Sequence, residues 1–259
     1  MKGWIAKLSY RCGLHGELSI THYNLRLAPE KQLSTPLKIA FLTDFHAGPS
    51  THSGIFDQAF KAIADLKPDL LLLGGDFVSC KAAYVSHLIP NLEACTPRLG
   101  KFAVFGNHDL WKDDAYLGQR LSSAGVKILV NKQITLSAPF DHISICGIDD
   151  PWTGSPDAPL TFKEAKTIRV LLMHAPDGLL LLNQEKFDLA FAGHTHGGQI
   201  ALKDGTPILL PHGPLSRKYH HGYFDIVGNG KLIVSRGIGC SNLPIRIYAD
   251  PELVICNLE

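Results

Sequence analysis

Five short motifs in a fixed order carry side chains that can bind metal ions. They read Asp44-x-His46, Gly75-Asp76, Gly106-Asn107-His108-Asp109, His174 and Gly193-His194-Thr195-His196. Their carboxylate, amide and imidazole groups are nitrogen and oxygen ligands without a thiolate, which suits divalent ions such as Mn²⁺, Zn²⁺, Fe²⁺ or Co²⁺. If Asp76 is shared, the set is large enough for two neighbouring ions. Such a pair clamps a phosphate and polarises an attacking water.

Each motif follows a short apolar run that predicts a buried strand. The runs cover residues 37–43, 69–73, 102–105, 168–173 and 188–192. Continuous apolar runs of this length are typical of strands that are covered on both faces. Loops at the carboxyl ends of strands bind ligands in α/β folds, so we expect the motifs to meet at one rim. Within Asp44-x-His46 and His194-x-His196, an extended chain would point both side chains the same way.

The rest of the chain predicts a layered α/β sandwich with two mixed sheets and helices outside. Helical spacing predicts helices over residues 55–66, 87–94, 113–124 and 179–183. Further strands are predicted over residues 18–27, 128–130, 133–137, 143–148, 232–235, 245–248 and 253–257. Residues 149–159 and 204–222 are predicted to be long surface loops, which are often functional in compact domains.

Length and composition favour one globular enzyme domain. We predict an N-terminal segment over residues 1–17, then a single domain over residues 18–259, because 259 residues can bury a sizeable core and no internal boundary is visible. The net charge of +1 argues against a nucleic-acid partner. The six cysteines form no C-x-x-C pair, which favours reduced thiols in a cytoplasmic protein.

The N-terminal segment has no signal-peptide core, and no apolar run is long enough to span a bilayer. Trp4, Ile5 and Leu8 would share one face of a short helix with basic residues beside it. Such a helix can rest on a membrane surface, and a packed or frayed terminus is the alternative. We therefore predict a cytoplasmic protein with at most weak peripheral contact at the inner membrane surface.

The ordered motifs resemble those of the calcineurin-like metallophosphoesterase superfamily. The segments KPDLLLLGGDFV, LLMHAPD, DLAFAGHTHGGQI, SRGIG and PELVICNLE are similar to its YaeI/YkuE-type phosphodiesterase branch, from about Leu37 to the C-terminus. The resemblance implies a four-layer α/β/β/α sandwich. It also implies a phosphodiesterase that depends on two divalent ions, Mn²⁺ before Zn²⁺, Fe²⁺ or Co²⁺, and hydrolyses a phosphoester by in-line attack of metal-bound hydroxide. Members of this branch often begin with an export signal or membrane anchor, and neither is recognisable here.

The resemblance also implies a role for each motif residue. One ion would be bound by Asp44, His46 and His196, the other by Asn107, His174 and His194, with Asp76 shared. His108 would face the phosphate and stabilise charge or protonate the leaving oxygen. Asp109 would orient His108 through a hydrogen bond, and a helix N-cap before residues 110–116 is its alternative or additional role.

Several alternatives remain open from the sequence. The substrate is a small-molecule phosphoester or a lipid-linked one, as for a UDP-2,3-diacylglucosamine-type pyrophosphate hydrolase of lipid A synthesis. A non-catalytic metal-binding scaffold is disfavoured because the ligand set is complete, and no obligate protein partner is evident. His52 is a candidate substrate contact, and so are Arg217, Lys218 and Tyr219 of the basic cluster Arg217-Lys218-Tyr219-His220-His221, against a default of solvated residues. The remaining histidines, including His212, are predicted to be structural or solvated, and Asp149-Asp150 to form a turn.

Overall fold

The structure is a computed structural model that describes residues 3–259; Met1 and Lys2 of the predicted N-terminal segment lie outside the described residues. The helices are α1 Trp4–Arg11, α2 Gly54–Leu66, α3 Ile89–Ala94, α4 Asn107–Leu110, α5 Asp114–Ser123 and α6 Ala158–Phe162. The strands are β1 Ser19–Leu25, β2 Leu37–Leu42, β3 Leu70–Leu73, β4 Lys101–Ala103, β5 Val126–Ile128, β6 Lys132–Thr135, β7 Ile143–Gly147, β8 Ile168–Leu172, β9 Leu189–Ala192, β10 Gly222–Asp225, β11 Lys231–Val234 and β12 Glu252–Leu258.

The strands form two mixed sheets of six strands each. The first has the order β1-β12-β2-β3-β4-β5, in which β12 runs antiparallel to β2 and all other neighbours are parallel. The second has the order β10-β11-β9-β8-β7-β6, with antiparallel pairs at its two edges and parallel pairs between them. β1 lies at the edge of the first sheet, as its partial alternation predicted.

Alternate residues of the central strands point into different layers. In β2, Ile39 and Phe41 pack into a core between the two sheets, where Phe41 lies 5.2 Å from Phe191 of the second sheet. Ala40 and Leu42 point the other way, into a core shared with α2, α3 and α5. A third core lies between the second sheet and α6. Helix, sheet, sheet and helix therefore form four layers, and the predicted α/β/β/α sandwich with two mixed sheets is confirmed.

Some predicted elements differ from the observed ones. Residues 245–248 form no strand, because only one isolated bridge joins Ile247 to Ile200. β10 was not predicted, and β5 begins two residues earlier than expected. The predicted helix over residues 87–94 is a 3₁₀ helix, Ala82–His87, followed by α3; the one over residues 179–183 is a 3₁₀ helix at Pro176–Leu181. The errors lie in short segments, where local periodicity is weakest.

The first described residues form α1, which packs on the domain through Ala6 and Ser9. The Ser9 hydroxyl donates to the carbonyl of Pro244, and the ring of Tyr10 stacks on His52 with centroids 4.4 Å apart. In residues 3–259, every helix is too short or too polar to cross a bilayer.

Candidate metal centre

The predicted ligands all lie just beyond the carboxyl ends of strands. β2 leads to Asp44 and His46, β3 to Asp76, and β4 to Asn107, while β8 leads to His174 and β9 to the last two histidines. The parallel strands of each sheet end at the same edge, so the loops of both sheets meet there. The structure brings all seven predicted ligands together: Asp44, His46, Asp76, Asn107, His174, His194 and His196.

The backbone at this rim is left-handed at five of these residues. The φ angles are 54° at Asp44, 44° at His46, 53° at Asp76, 71° at His194 and 54° at His196. The prediction that each i, i+2 pair converges along an extended chain is therefore wrong, because the chain turns sharply at each ligand. Left-handed backbone is costly for residues other than glycine, and such strain clusters at functional sites.

The turns also bring neighbouring loops into close backbone contact. A Cβ on Gly75, whose φ is 89°, would lie 2.4 Å from the backbone nitrogen of Gly106. A Cβ on Gly106 would lie 2.3 Å from Oδ1 of Asp76. These two positions need glycine so that Asp76 and Asn107 can reach the same space.

The first group of ligands consists of Asp44, His46 and His196. One ligand atom from each lies within 4.8 Å of the others. The Nε2 atoms of His46 and His196 face each other at 3.0 Å, and the latter lies 3.5 Å from Oδ1 of Asp44. A second carboxylate contact fixes the loop, because the backbone N–H of His194 donates to Oδ2 of Asp44 at 3.0 Å.

The second group consists of Asn107, His174 and His194. Nε2 of His174 lies 3.2 Å from Oδ1 of Asn107 and 3.2 Å from Nδ1 of His194. The other ring nitrogen of His174, Nδ1, lies 2.8 Å from the carbonyl oxygen of Gly74. A hydrogen bond from Nδ1 to that carbonyl leaves the Nε2 lone pair directed at the centre, as a metal ligand requires.

Asp76 lies between the two groups. Its Oδ2 atom is 3.4 Å from Nε2 of His46 and 3.4 Å from Nε2 of His174. Its Oδ1 atom accepts the backbone N–H of His108 at 2.8 Å, which holds the carboxylate in place. One carboxylate oxygen therefore faces both ligand groups. The structure also places Asp44, Asp76 and His174 within 4.8 Å of one another, a triple that the sequence did not indicate.

The pKa values of His46 and His194 fit a cation site, whereas His174 and Asp76 form a buried pair of opposite charge. Burial lowers the pKa of His46 to about 3 and that of His194 to about 4, so both rings are neutral and can ligate. For His174, burial opposes protonation, yet the carboxylate of Asp76 raises its pKa well above the usual value. His174 in turn holds the pKa of Asp76 below its usual range against burial. Facing imidazole nitrogens and buried carboxylates are the donor set that divalent cations require.

His108 lies beside the ligands and partly faces the cavity. The centroid of its ring lies 4.7 Å from that of His46, in an edge-on arrangement, and 4.9 Å from that of Trp111. Its Nδ1 is 3.3 Å from the carbonyl oxygen of Ser79. His108 also forms a triple with His46 and Asp76 within 4.8 Å. Its predicted role beside the phosphate rather than among the ligands stays a prediction.

The predicted hydrogen bond from Asp109 to His108 is not the one observed. Asp109 is buried, and its two oxygens accept the backbone N–H groups of Gly106 at 3.1 Å and of Val78 at 3.3 Å. The Asp109 carboxylate caps the turn that begins α4. Its hydrogen bonds therefore go to the backbone and not to the imidazole of His108. The contact that orients His108 is the Ser79 carbonyl, which sequence analysis did not identify.

The centre opens into a cavity of about 580 Å³. His46, Asp76, Asn107, His108, His194 and His196 line its inner end. Its outer walls are mostly apolar. The predicted surface loops contribute Trp152, Ile208, Leu209, Leu210 and Pro211, and Trp111, Ile200 and Leu243 come from other parts of the chain. Asp150 accepts the backbone N–H groups of Trp152 and Thr153, so the predicted turn at Asp149-Asp150 sets one wall.

The sequence model of the calcineurin-like phosphoesterase family matches residues 37–227. The chain belongs to that family. It is therefore a phosphoric ester hydrolase, and its buried aspartates and histidines form groups that could hold the divalent metals this family uses.

Two relatives are about one-third identical to this chain over most of its length. The chain is 32% identical to phosphodiesterase YaeI of Escherichia coli K12 over 241 residues, which cover 90% of this chain and 86% of YaeI. It is 34% identical to metallophosphoesterase YkuE of Bacillus subtilis over 228 residues, covering 86% of this chain and 79% of YkuE. The crystal structure of calcineurin-like phosphoesterase YfkN from B. subtilis is 13% identical with a TM-score of 0.42, covering 78% of this chain and 81% of that one.

The predicted substrate contacts do not line the cavity of this calcineurin-like phosphoesterase. His52 is stacked under Tyr10, and its Nδ1 accepts the backbone N–H of Gly54. Tyr219 is buried against Phe224, and Lys218 lies over the Tyr219 ring at 4.9 Å. Arg217 is exposed on the same turn. The turn at 217–219 packs through Tyr219 into the core on the outer side of the second sheet, so the roles of these residues in substrate binding stay predictions without support from the cavity lining.

Other residues occupy the positions next to the metal centre. His212, which was expected to be structural or solvated, lines the cavity with its ring 5.2 Å from Trp152. Trp111 follows the GNHD motif by two residues, and that proximity was an available signal. Arg246 is buried, with one guanidinium nitrogen 3.2 Å from Nδ1 of His196. Nothing in its sequence context indicated this contact.

Proposed function

We propose that the chain is a phosphodiesterase that holds two divalent ions, with Asp76 shared between them. The observation that carries this proposal is the position of Asp76 Oδ2, at 3.4 Å from a histidine of each ligand group. A carboxylate oxygen facing two sets of imidazole nitrogens is suited to bridging two cations. Mn²⁺ is the first choice for both positions, and Zn²⁺, Fe²⁺ and Co²⁺ suit the same ligands.

Some side chains of the centre would bind the metal ions, and others would transfer protons. Asp44, His46 and His196 would hold one ion, and Asn107, His174 and His194 the other. Divalent ions bound there supply Lewis-acid polarisation of the phosphoryl oxygens and of the attacking water. The remaining contributions come from the protein, which positions the ester and manages its protons.

His108 is the proposed proton donor to the leaving group. If its Nδ1 hydrogen bonds to the Ser79 carbonyl, then Nε2 is the nitrogen that faces the cavity. A protonated Nε2 can stabilise charge on the phosphate or donate to the departing oxygen. The Trp111 ring lies against the His108 ring, with centroids 4.9 Å apart, and limits its rotation.

The test is metal content together with a pair of matched substrates. Protein loaded with Mn²⁺ should contain two ions per chain and hydrolyse bis-p-nitrophenyl phosphate faster than p-nitrophenyl phosphate. A single bound ion would contradict the shared role of Asp76. A preference for the monoester would contradict the diesterase assignment while leaving the metal centre intact.

A second candidate substrate is favoured by the cavity walls. Leu209, Ile208 and Leu243 line the opening and present apolar surface next to the ligands. That surface suits a lipid-linked pyrophosphate of the UDP-2,3-diacylglucosamine type better than a small polar diester. Turnover of such a lipid that exceeds turnover of soluble diesters would decide for this candidate.

We further propose a cytoplasmic location and a small-molecule or lipid-linked substrate rather than nucleic acid. All six cysteines are free thiols, which suits a reducing compartment. The net charge of +1 gives no general attraction for a polyanion. If the protein hydrolyses single-stranded DNA or RNA but neither small-molecule diesters nor lipid-linked phosphoesters, the substrate assignment is contradicted.

A further inference from the structure

Helix α1 has an exposed apolar arc that residues 3–259 leave uncovered. Trp4 is 63% exposed, and Ile5 and Leu8 are each 52% exposed. At 3.6 residues per turn these three side chains fall on one side of the helix. Ala6 and Ser9, which are buried, fall on another side, where α1 packs on the domain. The apolar arc is therefore not the side that anchors the helix.

Basic residues flank this apolar arc. Lys7 and Arg11 project from α1 next to Trp4, and the helix sequence WIAKLSYR contains no acidic residue. Neither cation forms an ion pair with any residue in the part of the chain that the structure describes. An apolar arc that contains a tryptophan and has unpaired cations along one edge is typical of helices that lie in the plane of a lipid headgroup region.

The chain segment that holds α1 contacts residues that follow the cavity-lining residue Leu243. Ser9 donates to the carbonyl of Pro244, and the backbone N–H of Arg246 donates to the carbonyl of Leu14 at 2.7 Å. Leu243, next to these contacts, lines the cavity. Across the opening, Leu209 also lines the cavity and is 74% exposed. Exposed apolar side chains are thus present both on α1 and at the opening of the cavity, and the two segments are joined by these hydrogen bonds.

We propose that α1 and the cavity rim form one docking face for an anionic phospholipid bilayer, so that the centre acts on a phosphoester carried by a lipid. Charge complementarity selects this occupant: Lys7 and Arg11 would meet anionic headgroups while Trp4, Ile5 and Leu8 enter the interface. The apolar part of the substrate would pass along Leu209 and Leu243 to reach the ligands. The second half of this proposal rests on the proposed function, and the docking itself does not.

Flotation of the full chain with vesicles tests the docking directly. The vesicles contain phosphatidylcholine and phosphatidylglycerol in equal amounts. The double variant Ile5→Ser/Leu8→Ser should need about tenfold more lipid for half-maximal binding, because two aliphatic side chains that would enter the lipid interface are lost. The matched control is Leu180→Ser/Val227→Ser, which removes two exposed apolar side chains elsewhere and should bind as the original chain does. Equal loss in both double variants, or no flotation of the original chain, overturns the proposal.

Charge and rim substitutions test the remaining parts of the proposed face. Lys7→Gln and Arg11→Gln should each weaken binding to the mixed vesicles about fivefold and leave binding to pure phosphatidylcholine unchanged. Leu209→Ser should also weaken binding if the rim shares the face with α1. If Leu209→Ser binds vesicles normally while the α1 variants do not, the two surfaces do not form one face.

Hydrolysis of bis-p-nitrophenyl phosphate without lipid separates docking from catalysis. The Ile5→Ser/Leu8→Ser variant should retain the turnover and the thermal unfolding midpoint of the original chain, since both side chains are exposed. If the original chain floats with vesicles but hydrolyses no ester, the proposed function fails and the docking stands. If concentrated protein forms a dimer that these substitutions dissociate, and does not float, the face binds a second copy and the proposal is wrong.

Discussion

A guanidinium nitrogen of Arg246 lies 3.2 Å from Nδ1 of His196. After burial, the positive charge of Arg246 is the main factor that lowers the pKa of His196 well below its usual value. The same guanidinium donates to the carbonyls of Arg236, Gly239 and Ala249. It therefore keeps a ligand ring neutral and fixes the loops around it.

These loops reach Asp44 as well. The backbone N–H of Gly239 donates to the carbonyl of Asp44 at 2.7 Å, and that of Ile238 donates to Thr43 at 3.0 Å. Arg246 thus links the loop of residues 236–239 to His196, and that loop supports the turn at Asp44. Arg246 therefore supports Asp44 and His196 of the first group although it is not one of the predicted ligands.

We expect Arg246→Gln to destabilise the fold by about 2–3 kcal/mol, because it leaves buried carbonyl oxygens without donors. Arg246→Lys should recover only part of this, because an ammonium cannot reach the acceptors in the guanidinium geometry. Urea unfolding measures the change in stability. Mn²⁺ titration measures whether the ligand group that contains His196 still binds the ion. The matched control is Arg26→Gln, because Arg26 is exposed and forms an exposed ion pair with Glu259. An Arg246→Gln protein with an unchanged urea midpoint would contradict this role.

The carboxylate of Asp76 should be needed for both ions. Asp76→Asn offers one oxygen in place of two and removes a negative charge that faces both ligand groups. We expect the bound Mn²⁺ to fall from two ions toward one or none, and kcat/KM to fall by more than about a hundredfold. Elemental analysis and diester hydrolysis provide the readouts, with the exposed Asp141→Asn as control. Retention of two ions in Asp76→Asn would assign the bridge to another residue, with Asp44 as the first candidate.

The sequence predicted the layers and the ligand assembly well because both follow from short-range signals. The apolar runs before Asp44, Asp76, Asn107, His174 and His194 are strands, and parallel strands place their carboxyl ends together. Each ligand motif is contiguous with its strand, so little of the intervening structure had to be known. The left-handed backbone at the ligands was missed because i, i+2 spacing gives no information about φ.

The outer parts of the site were not predictable in the same way. Leu209, His212 and Leu243 reach the cavity through loops whose paths depend on contacts such as Gln199 with the carbonyl of Leu243. Arg217 and Lys218 looked suitable as phosphate contacts by charge alone, yet their turn packs on the far face of a sheet. Charge identifies candidate residues, whereas the tertiary path of a loop decides which of them reach the ligands.

His108→Ala should keep both ions and lose turnover, by about 10²–10⁴-fold if proton transfer is its contribution. The loss should be larger for phenyl esters than for p-nitrophenyl esters, because a better leaving group needs less protonation. Elemental analysis and the ratio of the two rates check this, with His142→Ala, far from the cavity, as control. Loss of an ion from His108→Ala would place His108 among the ligands, in line with its proximity to His46 and Asp76.

Glu252, at the start of β12, should make the stability of the metal-free protein depend on pH. Burial opposes its ionisation, but His221 and then Arg236 lower its pKa from 4.5 to about 2. A carboxyl group whose pKa is lowered in the folded state stabilises the fold at a pH above its pKa in the unfolded state. This contribution disappears as the pH falls from about 4.5 to about 2. Glu252→Gln should therefore be less stable by about 2–3 kcal/mol at neutral pH and nearly equal to the original chain below pH of about 2. Urea unfolding in the presence of a chelator measures the difference, and the exposed Glu30→Gln is the control. A gap between the two proteins that stays constant across this pH range would show that the charge on Glu252 contributes nothing to folding.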